Sequence, residues 1–344
     1  MEASSSTLDQ LGWKPFFRDQ LAADENRGRQ PVRVMSVHRG MVTVSGEGIE
    51  ESISSAVPLP EGPEDRPTVG DWLVVKTDTL AIERILRRSS LFKRPAPGDE
   101  KRVQLIAANV DTLFIVTSCD QDFNVARLER YLVLAHDVGV RPVVVLTKVD
   151  LAENVETFVA AARALHPQLD VASINGRDPE SVAGLAVFCS AGETVALVGS
   201  SGVGKSTLVN TLTGSDTIAT QAVRESDGKG LHTTTVREMH RLGVGPGGGG
   251  WLIDTPGMRE LQMSEVSSGV AEVFDDILET TLECRFTNCM HVDEPDCAIR
   301  ASILEGTLDP ARVARWRKLR EEDAAGTASA AVQRNRRART NKPR

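Results

Sequence analysis

The sequence lacks any long hydrophobic run. Its apolar stretches, such as PVVVL at Pro142–Leu146, are far too short to cross a bilayer, which excludes a helical membrane protein. A secretory leader is not expected either. The opening MEASSSTLDQLGWKPFF has neither a basic start nor an apolar core, so a cytoplasmic location is expected. Positive charge is not in excess. The 344 residues carry a net charge of −8, which excludes a protein that coats nucleic acid with its whole surface but leaves room for local basic patches. Cysteine is sparse, with five in all. Cys119 and Cys189 stand alone in apolar contexts and read as buried side chains. Disulfides are not expected in a cytosolic chain.

What is present changes texture along the chain. A length of 344 residues predicts two or three domains. Residues 1–29 are polar and mixed in charge, and read as a mobile arm. Residues 30–103 carry short strands with turn signals, VRVMSVHRGMVTV, DWLVVK and LAIERIL, around a Gly/Pro-rich loop at Pro58–Gly70. That pattern predicts a small antiparallel β-barrel. Its end, RILRRSSLFKR, concentrates Arg84, Arg87, Arg88, Lys93 and Arg94. Residues 104–265 alternate buried-strand runs (TLFIVTS, RPVVVLTKVD, ETVALVG) with helical spacings, which predicts a parallel, doubly wound α/β sheet. Residues 266–323 are helical and hold the other three cysteines, and residues 324–344, ending RNRRARTNKPR, read as a basic disordered tail.

GSSGVGKST, comprising Gly199, Ser200, Ser201, Gly202, Val203, Gly204, Lys205, Ser206 and Thr207, fits the phosphate-cradling loop G-x-x-x-x-G-K-[ST]. Its glycines let backbone N–H groups curl inward, Lys205 reaches β- and γ-phosphates, and the Ser206 hydroxyl can ligate Mg²⁺. A strand precedes the loop and a helix follows, which is the context the motif requires. TKVD (Thr147, Lys148, Val149, Asp150) ends a parallel strand, where ligands bind in such sheets. A carboxylate there can accept from the two N–H donors on the Watson–Crick edge of guanine, a pair that adenine does not offer. Lys148 can lay its stem along the base. SING, beginning at Ser173, can support the base with backbone N–H groups. DTPG places Asp254 to hold Mg²⁺ through water and Gly257 to offer its N–H to a γ-phosphate. HTTT, His232–Thr235, supplies a switch threonine for the Mg²⁺ shell, with Thr234 as the candidate.

These are the parts of a GTPase in shuffled order, because TKVD and SING precede the phosphate loop. A fold depends on which elements are neighbours, so a short splice between the original ends can move the cut elsewhere. CSAGE, Cys189–Glu193, reads as that splice. The chain then runs from DTPG directly into the C-terminal region, tethering nucleotide state to whatever that region touches.

With IAANVD at Ile106–Asp111, these motifs make the chain resemble the circularly permuted, ribosome small-subunit-dependent GTPase family RsgA/YjeQ, over roughly residues 30–320. The resemblance implies an N-terminal OB-fold, a permuted GTPase domain and a small C-terminal α-helical zinc domain. It implies GTP hydrolysis to GDP, stimulated by the small ribosomal subunit late in its maturation, with release coupled to hydrolysis. The expected partners are rRNA of that subunit and GTP or GDP; the chain is expected to be a monomer with no membrane attachment. The residues before Gln30 fall outside the shared pattern, and Thr147 stands where many members have Asn.

CRFTNCMHVDEPDC spaces Cys284, Cys289, His291 and Cys297 as C-x₄-C-x-H-x₅-C. Three thiolates and an imidazole close a tetrahedral Zn²⁺ shell with no position open to water, which predicts one structural zinc; the family resemblance agrees with it. Ras-type GTPases orient the attacking water with a Gln just after DxxG, where this chain has Met258. Slow intrinsic turnover follows. The expected catalytic set is Lys205, Asp254 and His232, the last supported by the matching family histidine. Two alternatives to a GTPase remain on this reading: a nucleotide-gated RNA-binding module with incidental turnover, and a P-loop phosphotransferase, against which TKVD argues.

Overall fold

Two kinds of strand are written into the chain. In Met41–Gly46 Val42 and Val44 are buried while their neighbours are not, the alternation of a sheet with one wet face. Every residue of Thr112–Ser118 is buried, as in a parallel sheet covered on both sides. The computed structural model describes residues 7–21, 28–58, 62, 64–96, 99–214, 237–243, 249–254 and 266–340. They form two units, residues 1–124 with 139–261, and residues 125–138 with 262–344.

In the first unit α1 (Thr7–Gln10) and α2 (Pro15–Arg18) precede β1 (Arg29–His38), β2 (Met41–Gly46), β3 (Ile49–Ser54), β4 (Trp72–Lys76) and β5 (Ile82–Ile85). β6 (Leu91–Ala96) and β7 (Asp99–Ala108) pair as a separate antiparallel ribbon. After β8 (Thr112–Ser118) the chain passes through α3 (Val125–Asp137), a helix of the second unit. It returns as β9 (Arg141–Thr147), α4 (Val155–Arg163), β10 (Asp170–Ser173), α5 (Pro179–Ala183), β11 (Thr194–Val198), α6 (Lys205–Thr213), β12 (Arg237–Arg241) and β13 (Trp251–Asp254).

The main sheet runs β10-β9-β8-β11-β13-β12-β1-β2-β3, with β4 pairing β1 and β5. β10, β9, β8, β11 and β13 are mutually parallel. Phe114, Val116, Val143, Val145, Val195 and Leu197 present one apolar face, against which Leu208, Val209 and Leu212 of α6 pack. β12 is antiparallel to both β13 and β1. Ser36 pairs with Glu238 and Val37 with Arg237, so backbone pairing crosses the domain boundary expected near residue 103. The strands from β1 to β5 follow the order β3-β2-β1-β4-β5 around a core of Val32, Val34, Val44, Ile53, Leu73 and Ile82.

The N-terminal residues differ from expectation. In place of a mobile arm, residues 7–21 form α1, α2 and a connecting turn whose Leu11, Trp13 and Phe17 are buried with Trp72. The Trp13 and Trp72 rings meet edge to face at 4.7 Å. Polar composition hid this, because a few large rings can anchor an otherwise polar segment. The segment is also held by charge. Lys14 Nζ lies 2.6 Å from Asp111 and 3.0 Å from Glu193, and Asp111 accepts from the Thr194 N–H at 2.8 Å. At Gly12 a Cβ would stand 2.5 Å from the Gly192 carbonyl oxygen, so no larger residue permits this approach to the splice CSAGE.

The second unit contains α3, α7 (Ser267–Val273), α8 (Asp275–Thr281), α9 (Ala298–Glu305) and α10 (Pro310–Thr340). α10 continues through residues 324–340, where a disordered tail was expected. Ala and Arg, abundant there, are strong helix formers, and an existing helix needs no new nucleus to extend. Glu129 of α3 is fully buried and takes Arg315 at 2.6 Å and Arg312 at 3.4 Å, both from α10. That pairing explains how a carboxylate sits in the interior.

Candidate functional site

The phosphate loop joins β11 to α6. At Gly199, with φ +143°, a Cβ would lie 2.2 Å from the Val116 carbonyl oxygen of β8, so the loop can leave the sheet only through glycine. Val203 is buried in the core and anchors the loop from beneath. Lys205 begins α6, is 8 % exposed, and donates to the Gly199 carbonyl at 2.9 Å and to that of Ser200. The loop therefore carries a nearly buried cation, two of whose partners are neutral carbonyls. An anion in the loop would offer it a stronger, charge-assisted partner.

The base-side segment leaves β9, two strands away from β11 in the sheet. Thr147 is buried, and its hydroxyl lies 2.6 Å from the Val203 carbonyl oxygen and 3.3 Å from that of Thr117. Lys148 adopts φ +57° and its ammonium lies 2.9 Å from Asp120. Asp120 follows β8 and accepts also from the Ser118 hydroxyl at 2.7 Å and the Asp122 N–H at 2.9 Å. Partial burial pushes the Asp120 carboxyl up, but the hydrogen bonds from Ser118, Lys148 and Asp122 outweigh it and leave the pKa below the usual value. A 3₁₀ turn at Val149–Leu151 then carries Asp150.

One cavity of about 200 Å³ is lined by Thr147, Lys148 and Asp150 on one side and by Gly202, Gly204 and Thr207 on the other. Base segment and phosphate loop, reversed in the chain, thus share a pocket. Asn175, Gly176 and Arg177 complete its wall. Ser173, the residue expected to support the base, sits exposed at the end of β10 and does not line this cavity. Asp120 escaped the sequence reading, and Asn175 entered it only as part of SING, for its backbone N–H. Asp120 belongs to no motif, and only the adjacency of β8 and β9 brings it to Lys148. Asp254 ends β13 opposite Glu238, whereas His232, Thr234, Gly257 and Met258 lie outside the described residues.

In the second unit Cys284, Cys289, His291 and Cys297 bring their ligand atoms within 4.8 Å of one another. The His291 Nδ1 lies 3.5 Å from the Cys284 sulfur and 3.7 Å from that of Cys297. Zn–S bonds of about 2.3 Å and Zn–N bonds of about 2.0 Å at tetrahedral angles give edges of roughly 3.5–3.8 Å, so the cluster is compatible with zinc. Burial, Arg320 and Arg317 hold the His291 imidazole below its ordinary pKa, favouring the neutral form that a metal needs. Glu294 accepts from the Met290 and Val292 N–H groups at 2.8 and 2.9 Å, pinning the turn that carries His291. Those bonds lower its carboxyl to about 2.

The basic run Arg84–Arg94 is largely committed inside the protein. Arg84 donates to the Gln20 carbonyl at 2.8 Å, Arg88 binds the buried Asp71 at 2.7 Å, and Lys93 lies 2.7 Å from Glu64. Among the described residues no helix is long and apolar enough to cross a membrane.

A parallel sheet with a glycine-rich phosphate loop after β11, and a base-side segment that enters the same pocket from earlier in the chain, defines a P-loop nucleotide-binding protein of permuted order. Comparison with known proteins narrows the class. Residues 85–264 match the family model described as RsgA GTPase. The chain is 48 % identical over 328 residues to the small ribosomal subunit biogenesis GTPase RsgA of Mesorhizobium japonicum, covering 94 % of this chain and 92 % of that protein. It is 44 % identical over 332 residues to RsgA 2 of Vibrio parahaemolyticus, covering 96 % and 90 %. The fold resembles that of YjeQ from Thermotoga maritima, with a TM-score of 0.60 at 24 % identity over 85 % of this chain and 97 % of the other. It also resembles YloQ, described as a circularly permuted GTPase, with a TM-score of 0.56 at 22 % identity over 94 % and 100 %. The chain belongs to the RsgA GTPase family and is a GTP hydrolase with a circularly permuted GTPase fold.

Proposed function

We propose that this protein binds the small ribosomal subunit and acts late in its maturation, hydrolysing GTP to GDP with stimulation by the subunit and leaving after hydrolysis. The small ribosomal subunit is part of the names of the Mesorhizobium and Vibrio relatives, which match nearly the whole chain. The observation that carries the nucleotide reading is the cavity shared by Asp150 and the phosphate loop. In it Asp150 accepts from the guanine edge, Lys148 covers the base, and the loop with Lys205 holds the phosphates. Ser206, Asp254 and Thr234 hold Mg²⁺, Gly257 meets the γ-phosphate, and His232 orients water where Met258 cannot.

The Cys₃His cluster holds one zinc, which stabilises the second unit and takes no part in hydrolysis. β1 to β5 form a partly open OB-type barrel: β3 and β5 are its two ends in the strand order, and a groove lined by Glu51, Ser52, Thr79 and Ala81 separates them. RNA contacts fall to this barrel, to the second unit and to the basic end of α10, and weaken steeply with salt. The protein works as a monomer in the cytoplasm.

Turnover of GTP by the full chain, with and without purified small subunits, tests the proposal, alongside competition between GTP and ATP. Subunits that leave the rate unchanged would instead fit a nucleotide-gated binding module. Equal use of ATP would fit a phosphotransferase. Loss of stimulated turnover with retained GTP binding in His232→Ala tests the catalytic assignment.

A further inference from the structure

Guanine differs from other purines on two sides of one edge: it offers two N–H donors, which a carboxylate can read, and a carbonyl acceptor, O6, which needs a donor. Asp150 can serve the first side and carries no donor for the second. The neighbouring groups are mostly committed. The Thr147 hydroxyl has one proton, and two carbonyls, Val203 at 2.6 Å and Thr117 at 3.3 Å, already compete for it. In the loop after β10 the Ile174 N–H goes to the Leu146 carbonyl at 2.8 Å. The Asn175 N–H goes to the Ser181 hydroxyl at 2.9 Å and the Arg177 N–H to Asn175 Oδ1 at 3.1 Å. Gly176 keeps its N–H, while its carbonyl accepts from the Thr211 hydroxyl at 2.7 Å.

These bonds fix Asn175 on nearly every side. Its backbone carbonyl accepts from the Asp178 N–H at 3.0 Å, and Oδ1, by accepting from Arg177, determines which way the amide faces. What is left is Nδ2 with two donors, on a rigid loop, in the wall of the cavity that Asp150 lines.

We propose that Asn175 is a specificity-determining residue whose side-chain amide, with the Gly176 N–H, donates to the O6 side of guanine opposite Asp150. This rests on the guanine reading of Asp150 given above. The purine is therefore held from two loops, one after β9 that accepts and one after β10 that donates. An adenine, with an amino group in place of O6, would set donor against donor and leave the amide without its acceptor.

The test uses the full chain and three nucleotides: GTP, ITP, which lacks the 2-amino group, and 6-thio-GTP, whose sulfur is a weaker acceptor than O6. Asn175→Asp is the informative variant, because its carboxylate can still accept from the Arg177 N–H while both donors are gone. GTP affinity should fall about tenfold, the worth of one hydrogen bond. The preference for GTP over 6-thio-GTP should vanish, while that for GTP over ITP, which reports Asp150, should persist with an unchanged denaturant midpoint. Asn175→Ala should likewise lose the 6-thio preference. Retention of that preference by both variants would overturn the proposal and leave Asp150 intact. Loss of both preferences together would mean that the loop collapses, and would overturn it too. A native chain that binds ATP as well as GTP would remove the underlying guanine reading itself.

Discussion

The Thr147 hydroxyl lies 2.6 Å from the Val203 carbonyl oxygen, joining the base segment to the phosphate loop across 56 positions of sequence. A Cβ added at Gly204 would stand 3.5 Å from the same hydroxyl, so the two segments run close together. The two sides of the cavity are thus tied together by a short buried side chain.

Thr147→Val keeps the shape and removes that tie. A buried carbonyl loses a partner, which costs about 1–3 kcal/mol. Urea unfolding should show a lowered midpoint with the same slope, and GTP affinity should fall while the preference for GTP over ITP is kept.

Asp120→Asn should loosen Lys148. The ion pair is 2.9 Å long, with side chains 31 % and 34 % exposed, so solvent screens it and the effect on binding should be a few-fold. The native carboxyl titrates below its ordinary range. It therefore contributes stability that is present above the unfolded carboxylate pKa, about 3.9, and is lost as pH falls through the lower folded value. The variant should show a shallower acid limb in a stability–pH profile, read by circular dichroism.

Glu129→Ala removes the carboxylate between Arg312 and Arg315 in the second unit. Breaking a buried pair costs about 3–5 kcal/mol because charge is left uncompensated. Thermal unfolding should show the loss, and Glu129→Gln should recover part of it by keeping the size and a carbonyl acceptor.

Cys297→Ser, or a strong chelator, tests the zinc proposed for the Cys₃His cluster of the second unit. Because binding a structural zinc is also folding free energy, metal content and the unit's cooperative melting should disappear together. GTP affinity of the first unit should be little changed, since none of its pocket residues belongs to the cluster.

Trp13→Ala tests the anchored N-terminus. Trp13 is 8 % exposed against Trp72, and truncating such a ring costs about 3–5 kcal/mol. A truly mobile arm would show no change in the denaturant midpoint.

What could be read from the chain alone was local chemistry. Gly199, Gly204 and Lys205 announce a phosphate loop because the backbone needs those residues at that spacing, and Cys284, Cys289, His291 and Cys297 announce a metal shell for the same reason. Buried-strand runs marked the parallel sheet because each strand must be apolar on both faces. What only the tertiary structure decided was which committed and uncommitted groups meet. Asp120 reaches Lys148 because β8 and β9 are neighbours, and Asn175 rather than Ser173 enters the cavity because the loop after β10 turns on its own hydrogen bonds. Trp13 is buried because Trp72 stands opposite it. Spacing along a chain constrains neighbours in sequence, whereas partners brought together by a sheet leave no fixed interval to read.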